Sequence, residues 1–412
     1  MASANELEAV TEHGEALQTE IVSFLQEMVR ANSENPPGDY GPIREVVASQ
    51  YEEYGWDVET VWASEELLEE QGLEYPRPNI LGYATRDDGP TIALNAHLDT
   101  VPVDESKWSF DPFSGEVRDG RVWGRGAKDS KGRIASYTLA ARILEESNLV
   151  PEDVSIVLAM TADEETGGEA GARYVTDSGA LRPDYAIVEG AGWNEIWHAA
   201  SGVIRYRVSV SGEAAHAGTR PEQGSNALLG AAHVLLALET YAEELQEQNS
   251  RIAHVEYPTC VPATIEGGVK TNVVPPSCSF TVDTRVPPDH DIDKSEQNFR
   301  KVIDNVAMPD GTEVSVDILR KSGSYCFDPD EPQIKAIKQN ADEILDIEVP
   351  VVGTRGSTDA RHWAKNGAKC VNYGPGDEQS NSHAADERVV IDQVLNVGMI
   401  LAAALLDIGR LQ

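Results

Sequence analysis

The sequence predicts an α/β protein whose sheet is mixed and at least partly parallel, with a smaller α+β domain inserted into it. Three observations carry this. Short apolar runs at Asn79–Tyr83, Thr91–Ala96, Val154–Thr161 and Tyr185–Val188 alternate with helical stretches, as strands and helices do in α/β sheets. From about residue 201 the texture changes, and Val203-Ile204-Arg205-Tyr206-Arg207-Val208 alternates like a half-buried strand. After about residue 320 the helix–strand pattern returns. Residues 1–200 with 320–412 are therefore expected to form one discontinuous domain, and 201–319 the insert. A chain of 412 residues has room for both.

Taken in order, residues 6–30 read as one amphipathic helix, with Ile21, Leu25 and Met28 at helical spacing. Asn35-Pro36-Pro37-Gly38 breaks the chain. Ile43 to Tyr54 is helical, and residues 133–147 form a helix between two apolar runs. The insert holds a long Ala/Leu-rich helix at 226–246, strands near 252–266 and 278–285, a helix near 292–306 and a strand at 312–319. A helix at Gln333–Leu345, a strand at Cys370–Tyr373 and a helix at 391–409 complete the larger domain. In such sheets function gathers at the carboxyl ends of the strands, so the polar residues ending each run are the ones to examine.

Composition narrows the partners. Seventy Asp and Glu against 33 Lys and Arg give a net charge of −37, spread along the whole chain. That is a solvated acidic coat over an ordinary core, and it fits a salt-adapted organism, since salt screens its self-repulsion. Nucleic acid is not an expected partner, because phosphate binding needs clusters of Lys and Arg. Cys260, Cys278, Cys326 and Cys370 are widely spaced, which argues against a disulfide framework and against a thiolate metal site. The first twenty residues lack the basic start and apolar centre of a signal peptide. No apolar run approaches the ~18 residues needed to span a bilayer. A cytoplasmic protein without a membrane partner is expected.

Five elements carry chemistry. The run Thr91–Ala96 ends in His97-Leu98-Asp99, where an imidazole can meet a metal and Asp99 can hold its other ring nitrogen. Gly124-Arg125-Gly126-Ala127-Lys128-Asp129-Ser130-Lys131-Gly132 is a glycine-rich turn that presents one carboxylate at the mouth of a helix. Its spacing fits neither nucleotide fingerprint, and no strand reads immediately before it. Asp163-Glu164-Glu165 follows a buried-looking run. Three consecutive carboxylates repel one another unless cations neutralise them, and on an extended chain neighbours point apart. One glutamate can then bind metal while the next stays free as a general base. Glu189 ends the run Tyr185–Val188, and His383 lies in a loop before the last helix. Two histidines and three carboxylates form a ligand set for borderline divalent ions, one carboxylate bridging.

With these motifs in order from about residue 15 to 410, the sequence resembles the two-zinc metallopeptidase and deacylase family. That family includes acetylornithine deacetylase, succinyl-diaminopimelate desuccinylase, aminoacylase and glutamate carboxypeptidase. The resemblance implies a zinc-exopeptidase-like catalytic domain with an inserted lid, through which many members dimerise. It implies two divalent ions, zinc first and cobalt or manganese as alternatives. His97 and Glu189 would bind one ion, Glu165 and His383 the other, and Asp129 would bridge. Glu164 becomes the general base and Asp99 orients His97. Many relatives read Gly-Glu-Pro at the third ligand where this chain has Val188-Glu189-Gly190, so Asp184 stands as the alternative to Glu189. In the insert, His216 matches the residue that reaches the substrate oxyanion. Asn272 with Arg285, and Gly356, Ser357 and Arg361, match substrate-facing segments. Those residues suggest a small substrate bearing a carboxylate. The implied reaction is amide cleavage in an N-acyl-amino acid of the acetylornithine or succinyl-diaminopimelate kind. A carboxypeptidase or dipeptidase of the same family is the alternative, and an inactive binding protein on the same fold the remote one.

Overall fold

The computed structural model describes residues 2–410. The chain forms two compact units. Met1–His198, Phe327–Val351 and Thr358–Gln412 make the first, and Ala199–Cys326 with Val352–Ser357 the second. The short return segment Val352–Ser357, which holds Gly356 and Ser357, groups with the second unit although the sequence pattern places it within 320–412.

The first unit is built on a mixed sheet. Its strands run in the order Asp57–Trp62, Pro78–Thr85, Ser155–Thr161, Thr91–His97, Tyr185–Val188, Lys369–Asn372. The first two pairings are antiparallel and the remaining three parallel. Parallel strands covered on both faces read as continuous apolar runs, and every residue of Ser155–Thr161 is buried. Helices Gly132–Glu146 and Ile391–Gly409 belong to the same buried core as these strands. The two helices pack closely enough that a Cβ on Gly398 would come 2.6 Å from Leu139 Cδ2. Four carboxyl ends therefore share one edge: His97 opposite Thr161, Asn95 opposite Val188, and Val188 opposite Asn372.

Three expectations need correction. The stretch 6–30 is two helices, Ala4–Ala16 and Gln18–Arg30, meeting at Leu17. The apolar stripe of Ile21, Leu25 and Met28 belongs to the second alone, whereas the first is capped by Ser3 and Glu6 and buries little but Val10 and Gly14. A strand does precede the glycine-rich turn: Arg121–Trp123 pairs with Glu116–Arg118 and with Arg388–Val390. Three-residue strands are too short to show a period. Finally, helix Ile391–Gly409 is, among the described residues, long and apolar enough to cross a bilayer by length and composition. Of its most apolar 18-residue stretch, 83% is buried inside the protein, so its apolarity is that of a core helix.

The second unit is a four-stranded antiparallel sheet, ordered Thr259–Gly267, Ser277–Val286, Gly202–Ser211, Glu313–Ser322. Strand Gly202–Ser211 buries alternate residues, including Tyr206, Val208 and Val210, against helices Ala227–Leu245 and Ile292–Asp304. Tyr206 stacks on Phe299 with ring centroids 3.9 Å apart.

The acidic coat has a measurable consequence. With a net charge of −37, self-repulsion opposes the compact state, and molar salt shortens its range to about 3 Å. The melting temperature should rise by several degrees as KCl goes from about 0.1 to 2 M. A flat or falling melting curve across that series would refute the argument.

Candidate metal centre

Each candidate ligand sits just past a strand end or in a loop that other residues hold still. His97 ends its strand and is 2% exposed. Its Nδ1 lies 2.9 Å from the backbone oxygen of Asp99 and 3.5 Å from that residue's carboxylate. Both groups only accept, so Nδ1 carries the proton and Nε2 keeps its lone pair for a metal. The shorter contact is to the carbonyl, so Asp99 holds the ring with its main chain as well as its side chain. The Asp99 carboxylate does more. It accepts from the backbone N–H of Glu164 and of Glu165, both at 3.2 Å, and from Asn35 at 3.0 Å. One buried carboxylate thus fixes the imidazole and the acidic turn together.

The acidic triplet does not run as extended chain. Asp163 has φ 69°, and Glu164–Thr166 is a 3₁₀ turn, which separates the three side chains by helical rotation. Asp163 turns away, accepting from Arg77 Nε at 3.2 Å, Asn35 Nδ2 at 3.1 Å and Thr166 Oγ1 at 2.8 Å. Glu165 meets His383 Nε2 at 3.2 Å. Glu164 makes no side-chain hydrogen bond among the described residues. Gly171 closes the segment after the triplet, where a Cβ would lie 1.8 Å from the Ala162 carbonyl oxygen.

Asp129 lies between the two halves of the site, 3.2 Å from His97 Nε2 and 3.5 Å from His383 Nε2. Its loop is held by Glu387, fully buried, whose carboxylate accepts from Arg125 at 2.5 Å and from the backbone N–H groups of Gly126, Lys128 and Asp129 at 3.0–3.1 Å. Arg133 donates to Asp129 at 3.1 Å, to the Lys128 carbonyl and to the Gly190 carbonyl. Glu189 is 5% exposed, and its Oε1 is buried without a hydrogen-bond partner.

Two donor groups result: His97, Asp129 and Glu189, and Asp129, Glu165 and His383, each with ligand atoms within 4.8 Å of one another. Asp129 belongs to both. Mixed imidazole and carboxylate donors suit zinc-class ions, and the unpartnered Glu189 oxygen is a donor with nothing else to do. The residues therefore fit a pair of divalent ions. Asp184, the alternative third ligand, is at the opposite end of the strand and accepts from the Thr91 N–H at 2.9 Å, so only Glu189 joins the cluster.

Electrostatics follow from crowding acids in a buried place. Burial pushes the Glu164 carboxyl well above its ordinary pKa, and the charges of Asp359, Glu189 and Glu165 add to this. Burial raises Glu189 as well, partly offset by His97 and Arg133. For Asp129 burial is outweighed by the neighbouring His97 imidazole and the charges of Arg133 and Lys128, which hold it well below the usual carboxylate range.

The remaining expected contacts are spread over both units. In the second, His216 Nδ1 accepts from the N–H groups of Gly218 and Thr219 at 3.1 and 3.2 Å, which leaves Nε2–H as a donor. His216 bridges Val273, and Ala217 N–H donates to Asn272 O at 3.0 Å, so the two segments lie side by side. Arg285 is engaged within the unit: it pairs with Asp283 at 2.6 Å and donates to Arg355 O at 3.0 Å. Gly356 N–H donates to Thr354 Oγ1, and Ser357 is half-buried. Arg361, in the first unit, donates to the carbonyls of Thr358 and Gly167, both at 2.7 Å; it braces the acidic turn.

Sequence reasoning gave no role to Glu387, Arg133, Asn35 or Asp359. Asp359 is buried with an Oδ1 that makes no hydrogen bond and lies 4.0 Å from Arg361 Nη2 and His362 Nε2, and burial pushes its carboxyl up to about 7. Glu387 lies four residues past His383, but nothing in its spacing marks it as the anchor of a loop 260 residues earlier. Arg133, four residues after Asp129 on the following helix, was the most findable of the four.

The model of peptidase family M20/M25/M40 matches residues 93–407. The chain belongs to this family. Succinyl-diaminopimelate desuccinylase 2 of Ruegeria sp. (strain TM1040) is 28% identical over 351 residues, covering 80% of this chain and 84% of that protein. An uncharacterised metallohydrolase of Methanocaldococcus jannaschii is 25% identical and covers 92% of this chain and 97% of its own. The M20 family metallo-carboxypeptidase from Sulfolobus solfataricus superposes with a TM-score of 0.76 at 19% identity, covering 95% of this chain and all of that one. This M20 chain is thus a metal-dependent hydrolase, and its fold is the family's catalytic domain with an inserted lid.

Proposed function

We propose that the protein hydrolyses the amide bond of a small N-acyl-amino acid, using two divalent ions held by His97, Asp129, Glu165, Glu189 and His383. The observation that carries this is the sharing of Asp129 between two adjacent donor groups, beside a half-buried glutamate, Glu164, that belongs to neither. Two ions bound there would lower the pKa of a water toward ~7 and polarise the scissile carbonyl. The rest is the work of the chain. Glu164, raised in basicity by burial and neighbouring acids, takes the water's proton and later returns it to the leaving amine. Asp99 keeps the His97 tautomer fixed and the Glu164 backbone still. His216, with Nδ1 occupied by two N–H donors, offers Nε2–H to the developing oxyanion.

Zinc is the ion we favour, with cobalt or manganese as substitutes. The reaction is assigned to the cytoplasm of a salt-adapted organism and to a dimer formed through the lid. Acetyl-ornithine- and succinyl-diaminopimelate-type substrates come first, with exopeptidase activity as the competing reading.

The test is a hydrolysis screen in molar salt with added zinc, cobalt or manganese, against N-acetyl-ornithine, N-succinyl-diaminopimelate, other N-acyl-amino acids and dipeptides. Dialysis against a chelator should remove two ions per chain and abolish turnover, and readdition should restore both. Turnover that survives complete loss of metal would end this reading.

A further inference from the structure

Beside the His97–Asp129–Glu189 group lies a pocket of about 490 Å³, lined by Lys128, Gly190, Trp193, Trp197, Asp377 and Gln379 among others. It adjoins the metal centre through sequence neighbours on both sides, Lys128 next to Asp129 and Gly190 next to Glu189. Two indoles give it apolar walls. Its two acids are engaged. Asp377 accepts from Gln379 N–H at 2.9 Å, Ser380 Oγ at 3.1 Å and Gln393 Nε2 at 3.0 Å, and Glu195 accepts from Trp197 Nε1 at 2.9 Å.

Lys128 is the exception. Its backbone is pinned, N–H to Glu387 at 3.0 Å and carbonyl to Arg133 at 2.9 Å. Its side chain passes over Gly376, where φ is +112° and a Cβ would meet Lys128 carbons at 2.5 to 3.2 Å. Among the described residues its half-buried ammonium makes no hydrogen bond or ion pair, and it is Arg133 that holds the Asp129 carboxylate, at 3.1 Å. Arg285 and Arg361, the cations expected to meet substrate, already donate to the protein's own acceptors. A partly desolvated charge without a partner is costly, and an anionic ligand relieves that cost.

The geometry points to Lys128 as the residue that recognises a carboxylate of the substrate, with the chain bearing it lying between Trp193 and Trp197. This rests on the reading of the site as an amide hydrolase. The carboxylate belongs to either the acyl half or the amino-acid half, and both present the same chemistry to an ammonium.

The experiment compares zinc-loaded wild type, Lys128→Met and Lys128→Arg, each with its metal content measured. Two matched substrate pairs are used: N-succinyl against N-succinamoyl on one amino acid, and an N-acyl-amino acid against its carboxamide. Wild type should prefer the acid in one pair by roughly tenfold to a hundredfold in kcat/KM, mostly through KM. Lys128→Met should lose that preference and Lys128→Arg keep part of it; the pair that responds names the half. A preference unchanged in Lys128→Met, or an equal fall for acid and amide, would overturn the proposal and leave Lys128 as a charge balancing Asp129. If wild type cleaves no amide, the function reading fails separately, and calorimetric binding of glutarate decides. Binding at least roughly tenfold weaker in Lys128→Met than in wild type upholds Lys128 as the anion site, and equal affinity sinks it.

Discussion

A Glu164→Gln protein should bind its full complement of divalent ions and still lose hydrolysis by about 10²–10⁴-fold, the usual contribution of a positioned general base. The separation is expected because Glu164 belongs to neither donor group. Its backbone N–H remains available to Asp99, so the turn that presents Glu165 should survive. The pH profile provides a second check. Glu164 must be ionised to accept a proton, so activity falls as pH drops through its pKa, and that limb should vanish in the variant. Asp359 is the leading charge that raises this carboxyl after burial itself. Asp359→Asn should therefore move the limb to lower pH. Near-normal turnover in Glu164→Gln, or loss of metal along with activity, would remove Glu164 from the role of base.

Glu387→Ala should cost both stability and metal. The carboxylate and Arg125 are buried together, with side chains 1% and 3% exposed, and removing one partner leaves the other as an uncompensated buried charge. Such breaks cost about 3–5 kcal/mol. The same carboxylate holds three backbone N–H groups of the Asp129 loop, so the shared ligand loses its fixed position. Metal affinity should fall about 10- to 100-fold, the usual effect of removing a group that orients a ligand. Denaturant melts and metal titration of the same sample check the two effects. If stability drops and metal affinity does not, Glu387 is only a structural anchor. A Glu387→Ala,Arg125→Met double variant should recover part of the stability, since no charge is then stranded, and little of the metal affinity.

Strand residues such as Ile156 to Met160 are read from sequence easily, because a strand covered on both faces must be apolar throughout. The places where such strands stop are equally visible, and His97, Glu165 and Glu189 stand there. Less was legible where a residue acts across the chain. The single helix expected at 6–30 failed at Leu17, since the polar first half carries no stripe to be read. The acidic triplet was seen, but not its 3₁₀ turn, which depends on Asp99 drawing in the turn's own backbone N–H groups at Glu164 and Glu165. Arg285 reads in the sequence equally as a substrate contact or a salt bridge within the insert, and Arg361 as a substrate contact; both are bound by oxygens brought to them by folding.

The sequence by itself determined the kind of sheet, the family and the donor types, because hydrophobic period and residue chemistry are local properties. Tertiary structure alone decided which donors converge, that Glu189 rather than Asp184 joins them, that Glu387 steadies the Asp129 loop, and that Lys128 has no partner for its ammonium among the described residues. Each of those depends on atoms within a few ångströms that are tens to hundreds of residues apart along the chain, and no local pattern encodes that distance.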